Sequence, residues 1–149
     1  MAKNFLRLLI GASALWLASG AFASGGTMNL RIWVQGGCTF VNSGDLVMNF
    51  GDLSQGDKTI TATTPIFCSN GTQFKVRLND GLNPNGQQRQ MAQNNGTGRL
   101  PYSLSASPMS GQSIGNPIDI LLTAKVSATA YQNQPMGQYS DTVILTVEP

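Results

Sequence analysis

The sequence predicts an all-β fold, a sandwich of antiparallel strands with immunoglobulin-like packing. Apolar residues recur at every second position in several short runs, which is the period of a strand with one buried face. Clusters of Asn, Gly, Asp and Pro separate these runs, as turns separate the strands of a sandwich. No run after the N-terminal apolar stretch shows the periodicity of a helix of useful length.

The first residues have the pattern of a secretory signal peptide. Lys3 and Arg7 give a positive start, and residues 8–18 are apolar but too short to span a bilayer comfortably. Ala21-Phe22-Ala23 is a small-residue cleavage site. We therefore expect a signal peptide over 1–23 and an exported, single-domain mature chain without a membrane-spanning helix.

The charge of the mature chain restricts its partners. The formal charge of +2 includes Lys3 and Arg7, so the chain after cleavage is close to neutral. This argues against nucleic acid or an anionic membrane as a partner. Charged residues make up only 11% of the chain, against about 25% in typical soluble domains. The composition suits an extracellular β protein that packs against copies of itself.

An alternating run follows the predicted cleavage site. Met28, Leu30, Ile32 and Val34 alternate with more polar or aromatic neighbours, and pairs of glycines flank the run. On pattern alone, this run is equally the first strand of a complete sandwich or a strand offered to another molecule.

Cys38 and Cys68 are the two cysteines of the chain. A pair of cysteines in an exported protein usually forms one disulfide. Closing a loop of about 30 residues would stabilise the fold by roughly 3–4 kcal/mol on the chain-entropy model. Two free buried thiols are the alternative, and a metal site is less favoured because the sequence has no histidine and no CxxC.

Five later runs predict strands with one inward face. The inward residues are Ile60, Ala62, Thr64, Ile66 and Cys68; Phe74, Val76 and Leu78; Tyr102, Leu104 and Ala106; Ile118, Ile120, Leu122, Ala124 and Val126; and Val143, Leu145 and Val147. Turn signals such as Ser69-Asn70-Gly71, Asn79-Asp80-Gly81 and Asn94-Asn95-Gly96 lie between them. Asp141 is expected to make a structural hydrogen bond at a turn or strand end.

Several segments, in order, resemble a known family. They are Gly37-Cys38-Thr39, residues 48–53, residues 66–72, residues 74–81, Leu100-Pro101-Tyr102-Ser103-Leu104 and residues 136–147. Together they resemble the spore coat protein U domain, the pilin fold of archaic chaperone–usher pili. The resemblance covers essentially the whole mature chain. It departs in the short, Gly- and Ser-rich stretch 105–119 and in the ending Glu148-Pro149.

The resemblance implies an incomplete immunoglobulin-like sandwich, completed by donor-strand addition. Residues 24–35 would be the donor strand, with Met28, Leu30, Ile32 and Val34 inserted into a neighbour, and residues 36–149 would be the pilin domain. Val143, Leu145 and Val147 would line part of the acceptor groove. The implied partners are a periplasmic chaperone, an outer-membrane usher and neighbouring subunits of a cell-surface pilus that supports attachment and biofilm formation.

The residues predict no catalytic, cofactor or metal site. Without histidine, neither a Ser-His-Asp nor a Cys-His arrangement is possible. The sequence contains no GxSxG, HExxH or phosphate-binding glycine loop. We therefore expect a protein that is not an enzyme. Two rival functions fit the same pattern, a free-standing secreted module that binds carbohydrate and a coat protein that associates laterally.

Overall fold

The structure, a computed structural model, describes residues 31–32, 36–42 and 44–149. Contacts divide the chain into two units, residues 1–33 and 34–149. The second unit contains the strands β1 (Cys38–Phe40), β2 (Lys58–Cys68), β3 (Gln73–Leu78), β4 (Gln90–Gln93), β5 (Arg99–Pro101), β6 (Ser103–Ser107), β7 (Ser110–Gln112), β8 (Ile118–Val126), β9 (Tyr139–Ser140) and β10 (Leu145–Glu148). A short helix, α1 (Ala128–Tyr131), follows β8. Within the described ranges, no helix has the length and apolar character needed to cross a membrane.

The strands pair in three antiparallel sheets. The largest has the order β1-β2-β8-β6, the second β10-β3-β7, and the third β5-β4-β9. The long strand β2 holds the first sheet together, because it pairs with β8 from Lys58 to Ile66 and with β1 from Ile66 to Cys68. Residues 59–64 of this strand are all β-branched or small, which favours the extended conformation.

The first two sheets pack face to face around one apolar core. Side chains from both sheets meet there, namely Ile66, Cys68, Ala106, Ile120 and Leu122 from the first and Phe74 and Val76 from the second. A second cluster of Leu100, Tyr102 and Val126 lies beside the third sheet and α1. Burial of these side chains is the main source of stability in such a sandwich.

The predicted inward faces are confirmed for β2, β3, β6 and β8. In β3, Phe74 and Val76 are buried while Lys75 and Arg77 are exposed. In β8, Ile120, Leu122, Ala124 and Val126 are buried in strict alternation. Each of these strands has one face on the core, so an alternation of apolar and polar residues with period 2 reliably identifies its buried residues.

Two predicted strands begin later than their apolar patterns. Tyr102 lies between β5 and β6, since its backbone N–H donates to the Arg89 carbonyl and the chain changes sheet there. β10 begins at Leu145, so Val143 lies just before it. The Ile144 N–H donates to the side-chain Oδ1 of Asn79 at 2.8 Å. This oxygen takes the place of the backbone carbonyl that would accept the bond in a regular ladder.

The predicted disulfide is confirmed. Cys38 and Cys68 are directly opposite each other in the β1–β2 pair, and their sulfurs are 2.05 Å apart. The disulfide therefore attaches the edge strand β1 to the C-terminal end of the inner strand β2. Beside it, the buried Ser113 donates to the Cys68 carbonyl at 2.8 Å and fixes the chain ahead of β8.

Candidate functional site, the open edge of β10

Strand β10 has a neighbour on one side only. It pairs with β3 through the register Leu145↔Leu78, Thr146↔Arg77, Val147↔Val76 and Glu148↔Lys75. On its other side, no strand of the described residues is paired with it. An edge strand of this kind presents backbone groups on which another strand can be added.

The hydrogen bonds around β10 show which backbone groups point to the open side. Asn79 donates its N–H to the Ile144 carbonyl at 3.1 Å, so Ile144 and Asn79 form a hydrogen-bonded pair. Such pairs alternate along an antiparallel ladder, so Thr146 and Glu148 also bond to β3. The Val76 N–H, opposite Val147, donates instead to the Met109 carbonyl at 2.7 Å. The N–H and C=O groups of Leu145 and Val147 therefore point away from β3.

The same two residues turn their side chains toward the core. Leu145 and Val147 are half-buried and pack against the main cluster, while Thr146 and Glu148 are exposed. Phe40 on β1 and Met48 are half-buried against the same cluster. β1 and β10 contact each other although they belong to different sheets. Open backbone groups and incompletely covered apolar side chains therefore coincide at this edge.

The edges at the other ends of these two sheets are more polar. β7 consists of Ser110, Gly111 and Gln112, and β6 carries Ser at its first, third and fifth positions. An added strand would find few apolar side chains on β7. The β10 edge combines backbone pairing capacity with an apolar surface, and both are needed for strong strand addition.

Asn79 and Asp141 position β10. The Oδ1 of Asn79 accepts from both Gly81 N and Ile144 N, at 3.2 and 2.8 Å. Asp141 accepts from the Tyr102 hydroxyl at 2.6 Å through Oδ2 and from Leu82 N at 2.9 Å through Oδ1. The structural role predicted for Asp141 is confirmed, although its partners are distant in sequence. Asn79 could not be recognised as a positioning residue from the sequence, because the turn motif Asn79-Asp80-Gly81 is by itself a sufficient reason for an Asn at that position.

The Tyr102–Asp141 bond lies in a partly enclosed region. Burial, followed by the hydrogen bond to the Asp141 carboxylate, raises the pKa of the Tyr102 hydroxyl well above its usual value. The hydroxyl therefore keeps its proton and remains a donor. Gly81 beside it has φ +83°, and a Cβ at that position would overlap the Asp141 carboxylate, so glycine is required there.

Arg89 fastens the same region from the opposite side. Its guanidinium donates to the carbonyls of Asn79, Leu78 and Leu104 at 2.8, 3.2 and 3.4 Å. These carbonyls belong to the ends of different sheets, so one side chain connects both layers. The side chain is only 16% exposed, and its long contact of 3.9 Å with Asp80 is secondary to these carbonyl bonds.

The donor residues predicted from the sequence are mostly outside the described residues. Met28, Leu30 and Val34 lie outside them, and Ile32 lies within. Ile32 belongs to no strand, and its side chain is 88% exposed. The donor role of residues 24–35 stays a prediction. Among the described residues, no group of three His, Cys, Asp or Glu side chains could hold a metal ion.

The described residues form an immunoglobulin-like β-sandwich in which β10 is an edge strand. The Spore Coat Protein U domain family model matches residues 25–146, and the chain belongs to that family. A search of curated proteins finds no match.

A solved structure shares the fold. The crystal structure of the CsuC–CsuE chaperone–tip adhesion subunit pre-assembly complex, from the archaic chaperone-usher Csu pili of Acinetobacter baumannii, contains a chain that is 23% identical. The TM-score is 0.55, and the match covers 77% of this chain and 40% of that chain. This chain therefore corresponds to less than half of the solved chain. At this identity the likeness supports the immunoglobulin-like fold alone.

Proposed function

We propose that this protein is a structural subunit of a chaperone–usher surface pilus and polymerises by donor-strand exchange. In this proposal, the open edge of β10 accepts the segment 24–35 of the next subunit. Met28, Leu30, Ile32 and Val34 of the incoming segment pack onto the core beside Val143, Leu145 and Val147. The observation that carries the proposal is the coincidence of outward backbone groups and half-buried side chains at Leu145 and Val147.

The energetics of strand addition favour a durable contact. Four apolar side chains, at about 1.5–3 kcal/mol each for full burial, supply several kcal/mol before ordering costs are subtracted. Backbone hydrogen bonds from Leu145 and Val147 add affinity and fix the register of the added strand. A segment that inserts into the next subunit makes a head-to-tail contact, which propagates as an open filament.

The open edge also explains the need for a chaperone. An exposed edge strand above an uncovered apolar surface is an aggregation hazard. A periplasmic chaperone would cover β10 first, and an outer-membrane usher would exchange it for the next subunit. The similar solved chain comes from a complex of a chaperone with a tip adhesion subunit, which supports the chaperone step of this proposal. Fibres on the cell surface would then serve attachment and biofilm formation.

The direct test is a gel of protein sheared from the cell surface, run with and without boiling in detergent. Subunits linked by inserted strands should give a ladder of multiples that collapses to one band after boiling. A single monomer band in both lanes would contradict the proposal and favour a free-standing binding module.

Ile32→Asp tests the donor segment, because a buried carboxylate would oppose insertion. We expect this variant to lose the ladder and still form a soluble complex with its chaperone. Asn29→Asp is the matched control, since it adds the same charge on the opposite face of the alternating run. It should leave the ladder intact. If Ile32→Asp fails to fold with its chaperone present, residues 28–34 belong to the chain's own sandwich.

A further inference from the structure

The outward face of the four-stranded sheet is unusually rich in hydroxyl groups. Its strands align Thr59, Lys125 and Ser103 in one row, Thr61, Thr123 and Ser105 in the next, and Thr63, Leu121 and Ser107 in a third. Pro65 and Asp119 are paired beyond these rows, and Thr39 is opposite Phe67. Short side chains on paired strands make this face even, with one side chain about every 5 Å across the strands.

The outward face of the facing sheet has a different composition. β3 carries Lys75 and Arg77 outward, and β10 carries Glu148. Glu148 accepts from Arg77 at 2.8 Å on that surface. On the larger face, Asp119 and Lys125 are the charged side chains of the outward strand positions, and they are at opposite ends of β8. The middle of the larger face is therefore uncharged, although solubility favours charges there.

Two large apolar side chains are also exposed on this face. Phe67 is 41% exposed and Leu121 is 43% exposed. They stand on β2 and β8 among hydroxyl groups that can both donate and accept hydrogen bonds. The cores of protein interfaces are depleted in charged residues, and the middle of this face meets that condition. Its hydroxyl groups would need hydrogen-bond partners across an interface.

We infer that this face binds the same face of a second copy and joins neighbouring fibres side by side. The inference rests on the proposed function, because it places the contact between subunits of different fibres. A two-fold axis across the strands near Leu122 sets Asp119 of each copy opposite Lys125 of the other. It also sets Thr61 opposite Thr63, since Ala62 and Leu122 share one register position. Lys125 lies 3.1 Å from Asp57 within its own subunit, and both side chains are exposed enough to accommodate a further partner.

The size of the face indicates how the contact works. Strand spacing and rise give a face of roughly 20 Å by 25 Å, or about 500 Å² per copy. A stable pair of proteins needs about 800 Å² on each partner. One pair of subunits is therefore held weakly, whereas repeated pairs along two fibres add up through avidity. Lateral association should appear in fibres and be weak between single subunits.

The test introduces like charges at the centre of the face. Thr61 and Thr123 are directly paired, so Thr61→Lys/Thr123→Lys puts two lysines on one cross-strand pair. Gln73→Lys/Gln112→Lys is the matched control, because those residues are also directly paired and lie on the other outward face. Both variants gain the same charge and the same local repulsion within the subunit.

Purified fibres are assayed by low-speed sedimentation and by negative-stain microscopy. We expect the pelleted fraction to fall at least threefold for Thr61→Lys/Thr123→Lys and to stay unchanged for the control. Bundling of the first variant should return near 1 M salt, where the Debye length is about 3 Å. Equal loss in both variants, or unchanged bundling in the first, would overturn the inference.

The detergent ladder separates this inference from the proposed function. A ladder in both variants with loss of bundling in the first supports both proposals. A ladder without face-dependent bundling overturns the lateral contact alone. Absence of a ladder from the wild-type chain overturns both. Bundling that occurs only after a polysaccharide is added would assign the face to a glycan instead of a second copy.

Discussion

At the scale of single residues, a few polar side chains determine where β10 begins. Asn79 supplies an acceptor to Ile144 N, and Asp141 is held by Tyr102 and Leu82 N. These bonds fix the chain immediately before Leu145. As a result, Leu145 and Val147 present their backbone groups to the open edge. Their partners are 39 to 65 residues away in sequence, so the contacts are tertiary.

Tyr102→Phe should destabilise the domain measurably. The substitution removes the bond to a partly buried carboxylate, and bonds to charged groups contribute about 1.5–3 kcal/mol. Urea denaturation should show a lower midpoint with an unchanged slope. Tyr131→Phe is the control, since it removes a neutral bond from an exposed hydroxyl to the Gly56 carbonyl and should have a smaller effect. Equal effects of the two substitutions would remove the special role given to the Tyr102–Asp141 pair.

Asp57 gives the fold a dependence on acid pH. A hydrogen bond from Ala128 N, and then the bond from Lys125, lower the pKa of the Asp57 carboxyl. Stability from a carboxyl with a lowered pKa is present above its unfolded pKa, about 3.9, and is lost as the pH falls through the folded pKa.

The matching experiment compares thermal midpoints of wild type and Asp57→Asn across pH. The wild type should have the higher midpoint at pH 6, and the difference should shrink below about pH 4. Asp45→Asn is the control, because Asp45 makes no ion pair within the described part of the chain. A difference that stays constant down to pH 2 would contradict the assignment.

At the scale of secondary-structure elements, the alternation of β10 makes its two sides differ. The backbone N–H and C=O groups of Leu145 and Val147 point to the open side of β10, whereas those of Thr146 point to β3. Proline has no N–H and is tolerated at edge positions where that N–H points to solvent. Two proline substitutions at adjacent positions of β10 can therefore distinguish the open side of the strand from the side that pairs with β3.

Val147→Pro should impair strand addition and leave the fold in place. Affinity for a synthetic peptide of residues 24–35 should fall about tenfold, which corresponds to about 1.4 kcal/mol. Thr146→Pro should instead destabilise the domain itself, because it removes a ladder bond to Arg77 on β3. Isothermal titration measures the first effect, and circular dichroism melting measures the second. Equal peptide affinity for Val147→Pro and wild type would show that the open edge does not accept the segment.

At the scale of the whole molecule, the disulfide links the edge strand β1 to the C-terminal end of the inner strand β2 in the larger sheet. Its loop spans 30 residues, including the irregular segment between β1 and β2. Met48 in that segment packs on the main core, and Phe50 and Leu53 pack on the second cluster. By fixing β1, the disulfide therefore helps to hold the segment between β1 and β2 against both apolar clusters.

Cys38→Ala/Cys68→Ala should lower the free energy of unfolding by roughly 3–4 kcal/mol on the chain-entropy model. Reduction of the wild type with dithiothreitol should shift the urea midpoint in the same direction. Yield of the exported protein should fall as well. Unchanged stability together with unchanged thiol titration would contradict the structural importance of the bridge.

Local patterns predicted the disulfide and the strands β2, β3, β6, β8 and β10. They did not predict β1, β4, β5, β7 and β9, which have two to four residues each and are too short to show alternation. In β3 and β8 the sequence alternation identified the buried residues, because a strand on a single core exposes every second side chain. Thr142-Val143-Ile144 alternates equally well with the residues after it, yet β10 begins only at Leu145. The difference comes from Asn79, whose bond to Ile144 N is invisible in the local pattern.

Local sequence was enough to establish the strand periods, the turns between them, the pair of cysteines and the absence of histidine chemistry, because these depend on neighbouring residues or on composition. Only the three-dimensional structure reveals that β10 lies beside β3, that no strand of the described residues pairs with its other side, and that Leu145 and Val147 direct their backbone groups to that side. It also reveals which threonines and serines align into one face. Strand order and register arise from contacts between residues far apart in the chain, and a period of two is the same for an edge strand as for a central one.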